Sequence, residues 1–165
     1  MRHVDRFARA LAFVLLFFTW TDGGAAEFAA PTDDGWHVWQ VQGSSDDLDL
    51  VSVYVQIKAG AVAKIHARTS GCPVKKRTPV NDMGVVSNGA SVAWLLQQVD
   101  AGARISESAL AAISAHAGDE AFTALTTLVE DRDSSRNLRE QALFWLAQSN
   151  SDEAFNYLDR LLSKR

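Results

Sequence analysis

The residues of this chain that could do chemistry are few, and their spacing points away from catalysis. Beyond residue 26 there are three histidines, His37, His66 and His116, and one cysteine, Cys72. No histidine has a second histidine or a cysteine three or four residues on, so zinc ligation has no local signature. Asp46, Asp47 and Asp49 resemble the start of a calcium loop. They lack the glycine at loop position 6 and the glutamate at position 12, which leaves a solvated turn as the reading. No Gly-x-Ser-x-Gly elbow, phosphate loop or dinucleotide-binding glycine pattern is present. The expectation is a protein with no catalytic residues, no metal and no cofactor. One chemical alternative stands beside it. Lys75, Lys76 and Arg77 follow Cys72 closely and would lower its pKa, giving a thiol- or metal-handling protein acting through that residue.

The first 26 residues read as a cleaved secretory signal. Arg2, Arg6 and Arg9 form a positive head, residues 10–20 are an apolar run, and Gly24, Ala25 and Ala26 offer small residues for cleavage. As a helix, eleven residues rise only about 16 Å, roughly half the hydrocarbon thickness of a bilayer. A periplasmic or secreted protein with no stable membrane span after cleavage is expected. Export favours disulfides, yet one cysteine cannot form an internal bridge, so packing must supply the stability. The whole chain carries a net charge of −4. Without the signal, 13 basic residues face 18 acidic ones, or −5. Such a surface repels phosphate backbones and argues against nucleic acid as a partner.

The elements that must position any site divide by period. Residues 27–35 read as a flexible N-terminus. Residues 36–69 read as a β-rich layer. There Val51, Val53, Val55 and Ile57 alternate with polar neighbours, and a turn at Ala59-Gly60 leads into a second alternating run. Residues 70–89 are punctuated by Pro73, Pro79, Gly84 and Gly89 and read as a linker. From residue 90 to 165 the period is helical, in five short segments joined by short connections.

The last four of these segments contain a repeat. Residues 105–129 match residues 138–162 at an offset of 33, with nine identities in 25 positions, including an unbroken Asp-Glu-Ala-Phe string. A lone helix pair cannot hide its apolar stripe, so such copies are expected to stack. Residues 90–99 read as an earlier second helix. The expected fold is α+β, with an antiparallel hairpin or meander packed on an α-solenoid of about two and a half repeats.

Glu140, Ala142, Leu143, Trp145 and Leu146, followed by Asp152, Glu153, Ala154, Leu158 and Leu161, resemble the short bacterial HEAT-like repeats. Residues 50–165 are similar to a group of uncharacterised exported bacterial proteins. In those a strand-rich part with a string like Ser70-Gly71-Cys72-Pro73 precedes a Ser-Val helix, here beginning at Ser91-Val92, and then the repeats. HEAT-like families mostly bind proteins, so the resemblance implies a non-enzymatic adaptor or scaffold in the bacterial envelope.

Individuality should then lie at outward positions of the second helices: Thr123, Ala124, Thr126 and Thr127 in one copy, Asn156, Tyr157, Asp159 and Arg160 in the next. A groove around Tyr157 and Arg160, residue types favoured at interface hot spots, is the expected contact with another protein. Phe144, off the packing face of its helix, suggests a homodimer if it forms part of an exposed patch. Strand addition to a free sheet edge is a variant of the same reading.

Overall fold

The computed structural model describes residues 28–44, 50–69, 78–149 and 151–163. Within them the chain forms four strands and then five helices. The strands are β1 (Gly35–Gln42), β2 (Leu50–Lys58), β3 (Ala61–Thr69) and β4 (Val80–Val85). The alternation that marks β2 has a direct cause. Val51, Val53, Val55 and Ile57 all turn to one face and are buried, as are Trp39 and Val41 of β1 and Ile65 of β3. The β2–β3 turn is two residues, Ala59 and Gly60, both at positive φ (51° and 71°), the backbone that matches strand twist in a tight hairpin. Asp34 fastens it from the neighbouring segment. Its carboxylate accepts hydrogen bonds from the Ala59 and Gly60 amides at 2.9 and 3.1 Å, and these hold its pKa below the ordinary carboxylate value.

The helices are α1 (Asn88–Leu96), α2 (Ala103–Ser114), α3 (Asp119–Glu130), α4 (Arg136–Gln148) and α5 (Asp152–Ser163). Serine hydroxyls start α1 and α4, as one does α5: Ser87 accepts from the Ala90 amide and Ser135 from the Leu138 amide. The start of α3 is different. Gly118 sits at φ 90°, a backbone conformation that other residues rarely adopt, so the position favours glycine. In the matched copy Ser151 takes this place and accepts from the Ala154 amide.

The expected hairpin capping a two-and-a-half-repeat solenoid is not what the chain forms. The strands make a four-stranded mixed sheet in the order β3-β2-β1-β4. Its edge strand β4 comes from the stretch read as a linker and runs parallel to β1, pairing Val80 with Trp36. The helices do not form a separate array either. One core runs through both layers, from Trp39, Val53 and Ile65 of the sheet to Leu95, Leu110, Leu125 and Leu146 of four helices. Trp39 of β1 meets Trp94 of α1 edge to face at 5.4 Å, and α2 lies along β3.

The two copies of the repeat also have unlike surroundings. Phe122 is half-buried and lies edge-on to Tyr157, with ring centroids 6.1 Å apart, whereas the matched Phe155 is 72% exposed. The 3.6-residue period located each helix correctly. What each helix packs against is a tertiary matter, and here the sheet face supplies it.

Candidate binding groove between α1 and α3

The end of β1 is tied to the helices by a buried polar lattice, and this lattice sets the candidate site. Ser91 (0% exposed) and His116 (2%) meet beside Trp39. The His116 Nδ1 nitrogen lies 2.7 Å from the Ala112 carbonyl oxygen, which can only accept, so Nδ1 carries the proton. Burial lowers the pKa of His116, outweighing the backbone hydrogen bonds and the Glu120 charge that raise it, so the ring is neutral and Nε2 accepts. Ser91 Oγ is its donor at 2.8 Å, and Trp39 Nε1–H donates to Ser91 Oγ at 2.8 Å. The order is therefore Trp39 to Ser91 to His116 to Ala112. A serine donating to a histidine resembles half of a hydrolytic triad. Here the hydroxyl has no exposed surface and is committed on both sides, so its work is to join β1, α1 and α2.

Asn88 extends the lattice outward. Its Oδ1 accepts from the Gln42 amide at 3.0 Å, and its Nδ2 donates to the Ala117 and Gln42 carbonyls at 2.6 and 3.2 Å. The Ala117 amide also donates to the Gln42 carbonyl, and the Ser44 amide to that of Ala115. The turn between α2 and α3 is thereby pinned to the end of β1. This places the first turns of α1 and α3 side by side, with Gly89 facing the Glu120 side chain.

Between α1 and α3 runs an open groove of about 650 Å³. Val92, Leu96 and Val99 form one wall and Ala124 and Leu128 the other. Thr123 and Thr127 rim it, and Asp119 and Glu120 stand at one end. The lining is mostly apolar, so the groove offers burial to an apolar ridge and an attraction to positive charge at its acidic end.

The outward residues expected from the sequence separate into two groups. Thr123 and Thr127 are exposed and line this groove. Asn156, Asp159 and Arg160 are exposed on α5, but Tyr157 is not: it is buried, with 7% of its surface exposed. Tyr157 therefore offers little surface to a partner. The Tyr157 hydroxyl donates to Glu130 Oε1 at 3.1 Å. Burial first, and then the Glu130 hydrogen bond and charge, push its pKa up to about 12. Its ultraviolet titration should thus have its midpoint about two units above that of an ordinary tyrosine. Glu130→Gln should bring the midpoint part of the way back. A midpoint near 10 in the unaltered protein would rule out the contact.

Ala124, which matches Tyr157 across the repeat and is likewise expected to face outward, is also buried. Cys72, the basic residues after it and Asp46, Asp47 and Asp49 of the expected solvated turn lie outside the described residues. His37 is accounted for by structure: it is buried, with Nε2 donating to the Asp33 carbonyl at 2.8 Å. His66 is exposed on β3 and stacks on Trp36. Among the described residues there is no cluster of three or more metal-ligating side chains. No described helix is long and apolar enough to cross a membrane. Comparison with protein-family models, with curated proteins and with solved structures found no match.

Proposed function

We propose that this chain is an exported, non-enzymatic protein-interaction module of the bacterial envelope, and that it receives an amphipathic helical segment of another protein in the α1–α3 groove. The observation that carries the reading is the pairing of an apolar trough with a carboxylate end. The walls Val92, Leu96, Val99 and Leu128 would bury an apolar ridge, and Asp119 and Glu120 would hold a basic residue at its end. The order of the sequence supports export: a basic head, an apolar run too short to span, and small residues before position 27. The acidic balance of the remaining chain suits a basic ligand.

Binding of synthetic amphipathic helical peptides tests the groove. The reporter is a dye on Thr127→Cys in a Cys72→Ser background. Peptides ending in lysine or arginine should bind in a salt-sensitive way, and peptides ending in glutamate should not. Leu128→Glu should abolish binding, and Asp119→Asn with Glu120→Gln should remove the preference for basic ends while leaving an apolar contribution. Equal binding of both peptide classes, or binding that survives Leu128→Glu, overturns the reading. Export is read separately, as the mass of the protein recovered from the periplasm, which should lack residues 1–26.

A further inference from the structure

The two edges of the sheet are unlike. At β4 the register with β1 slips between Val38 and Gln40, and Gly84 turns to φ 75°. Irregularities of this kind discourage a further strand from pairing. The β3 edge is regular: from Lys64 to Thr69 it pairs residue for residue with Gln56 to Val51.

The direction of the β3 backbone groups follows from β1. The Gln40 carbonyl accepts from the Val86 amide, on the β4 side. Amides and carbonyls alternate in direction along a strand, so Trp39 and Val41 turn theirs to Val53 and Val51 of β2. Tyr54 and Ser52 then turn theirs to His66 and Arg68 of β3. The amides and carbonyls of Ile65 and Ala67 are left pointing out of the sheet. Among the described residues no helix, turn or side chain hydrogen-bonds to them. A cavity of about 570 Å³ lies beside this edge, with Ala111 and Ala115 of α2 and Trp145 of α4 in its wall. The α2 side chains there are small, which leaves room between helix and strand for the side chains of an added strand.

Charge selects the occupant. Lys64, His66 and Arg68 are exposed, and they alternate with the buried Ile65, so they stand on the sheet face turned away from the helices. Neither Lys64 nor Arg68 is paired with a carboxylate among the described residues. Their charge reaches His66, whose pKa is lowered by burial first and then by Arg68 and Lys64. A second copy of β3 laid antiparallel about His66 would set Lys64 against Arg68, like charge facing like, which disfavours self-pairing. An acidic strand would meet the same row with opposite charge.

We infer that the β3 edge receives an extended segment of another protein, in which acidic residues alternate with apolar ones, as an added strand of the sheet. Its acidic side chains lie beside Lys64, His66 and Arg68, and its apolar ones enter the cavity against Trp145. The site shares no residue with the α1–α3 groove and takes a ligand of opposite charge, so either can fail without the other.

Two peptides test it, one alternating glutamate with valine and one alternating lysine with valine. At saturation the glutamate peptide should slow hydrogen exchange of the Ile65 and Ala67 amides about tenfold or more, as new ladder bonds form. The lysine peptide should leave those amides unchanged. Lys64→Glu with Arg68→Glu alters two exposed positions, should keep the circular dichroism of the parent, and should reverse the preference. N-methylation separates ladder bonds from attraction by charge alone. Glutamate peptides methylated on every valine nitrogen, or on every glutamate nitrogen, keep their charge. At least one of the two should lose binding, because one series of amides faces β3. No binding of the glutamate peptide, equal binding of the lysine peptide, or unaltered exchange at Ile65 and Ala67 overturns the inference. So does undiminished affinity of both methylated forms, or a dimer that protects these amides without any peptide.

Discussion

Ser91→Ala should destabilise the fold by about 2–5 kcal/mol, far more than the loss of one small hydroxyl suggests. Ser91 Oγ bridges Trp39 Nε1–H and His116 Nε2, and all three residues are buried. Removing it strands a donor and an acceptor together, each costing about 1–3 kcal/mol when left unpaired away from water. The cavity left by a single oxygen is too small to admit a water in its place. A double-mutant cycle separates this account from simple loss of packing. In a Trp39→Phe background the indole donor is already gone, so Ser91→Ala should cost about 1–3 kcal/mol less than in the parent. Urea unfolding followed by circular dichroism supplies all four numbers. Equal costs in the two backgrounds would show that the three groups do not act as a unit.

What could be read in the sequence follows from where the information sits. Strands β2 and β3 and the turn between them were legible because alternation and a two-residue connection are local. The helices were legible for the same reason. Strand β4 was not. The run Val80-Asn81-Asp82-Met83-Gly84-Val85 has no apolar alternation, because it is an edge strand, mostly exposed, held by backbone pairing to β1. Its punctuating residues, which read as loop, fit the irregular register between Val38 and Gln40 and the positive φ of Gly84.

The match between residues 105–129 and 138–162 was legible as well, but identical strings do not carry identical neighbours. The Asp-Glu-Ala-Phe of α3 is followed by a helix that covers it, whereas that of α5 has bare phenylalanine and leucine. This is why a regular stack could be expected from residues 105–162 and yet not be found.

The candidate site was partly legible. Thr123 and Thr127 follow from their outward phase on α3, but the facing wall of Val92, Leu96 and Val99 follows only from the tertiary placement of α1. The lattice that fixes that placement is invisible to spacing rules. Trp39, Ser91 and His116 are separated by 52 and 25 residues, and each alone reads as ordinary.

The lattice also makes the fold sensitive to mild acid, and the sign follows from His116. Burial keeps its native pKa below the ordinary histidine value of 6.5, while the unfolded chain titrates near that value. Above pH 6.5 both states are neutral at this residue, and the stability it contributes is fully present. As pH falls below 6.5 the unfolded chain takes up a proton that the native ring refuses, so stability declines until the lower native pKa is passed. Within that window one proton sets a ceiling of about 1.4 kcal/mol per pH unit on the slope.

His66 is lowered too, by burial first and then by Arg68 and Lys64, and it acts in the same direction. It is more exposed, so its share is smaller, and His66→Asn should leave most of the slope in place. The lowered carboxylates Asp34 and Asp131 cannot be confused with this, because their contributions are lost only below the ordinary aspartate value of 3.8. Protonated His116 would have no acceptor left for Ser91 to donate to, and Ser91 Oγ would face two donors, from Trp39 and from the imidazolium. Urea midpoints measured at pH steps from 7.5 down to about 5 should therefore fall steadily in the parent and in His66→Asn, and much less in His116→Gln. If that last variant is too unstable to measure, the NMR titration of the His116 ring in the folded parent decides the matter. A native pKa at or above that of a histidine in the unfolded chain would remove the cause.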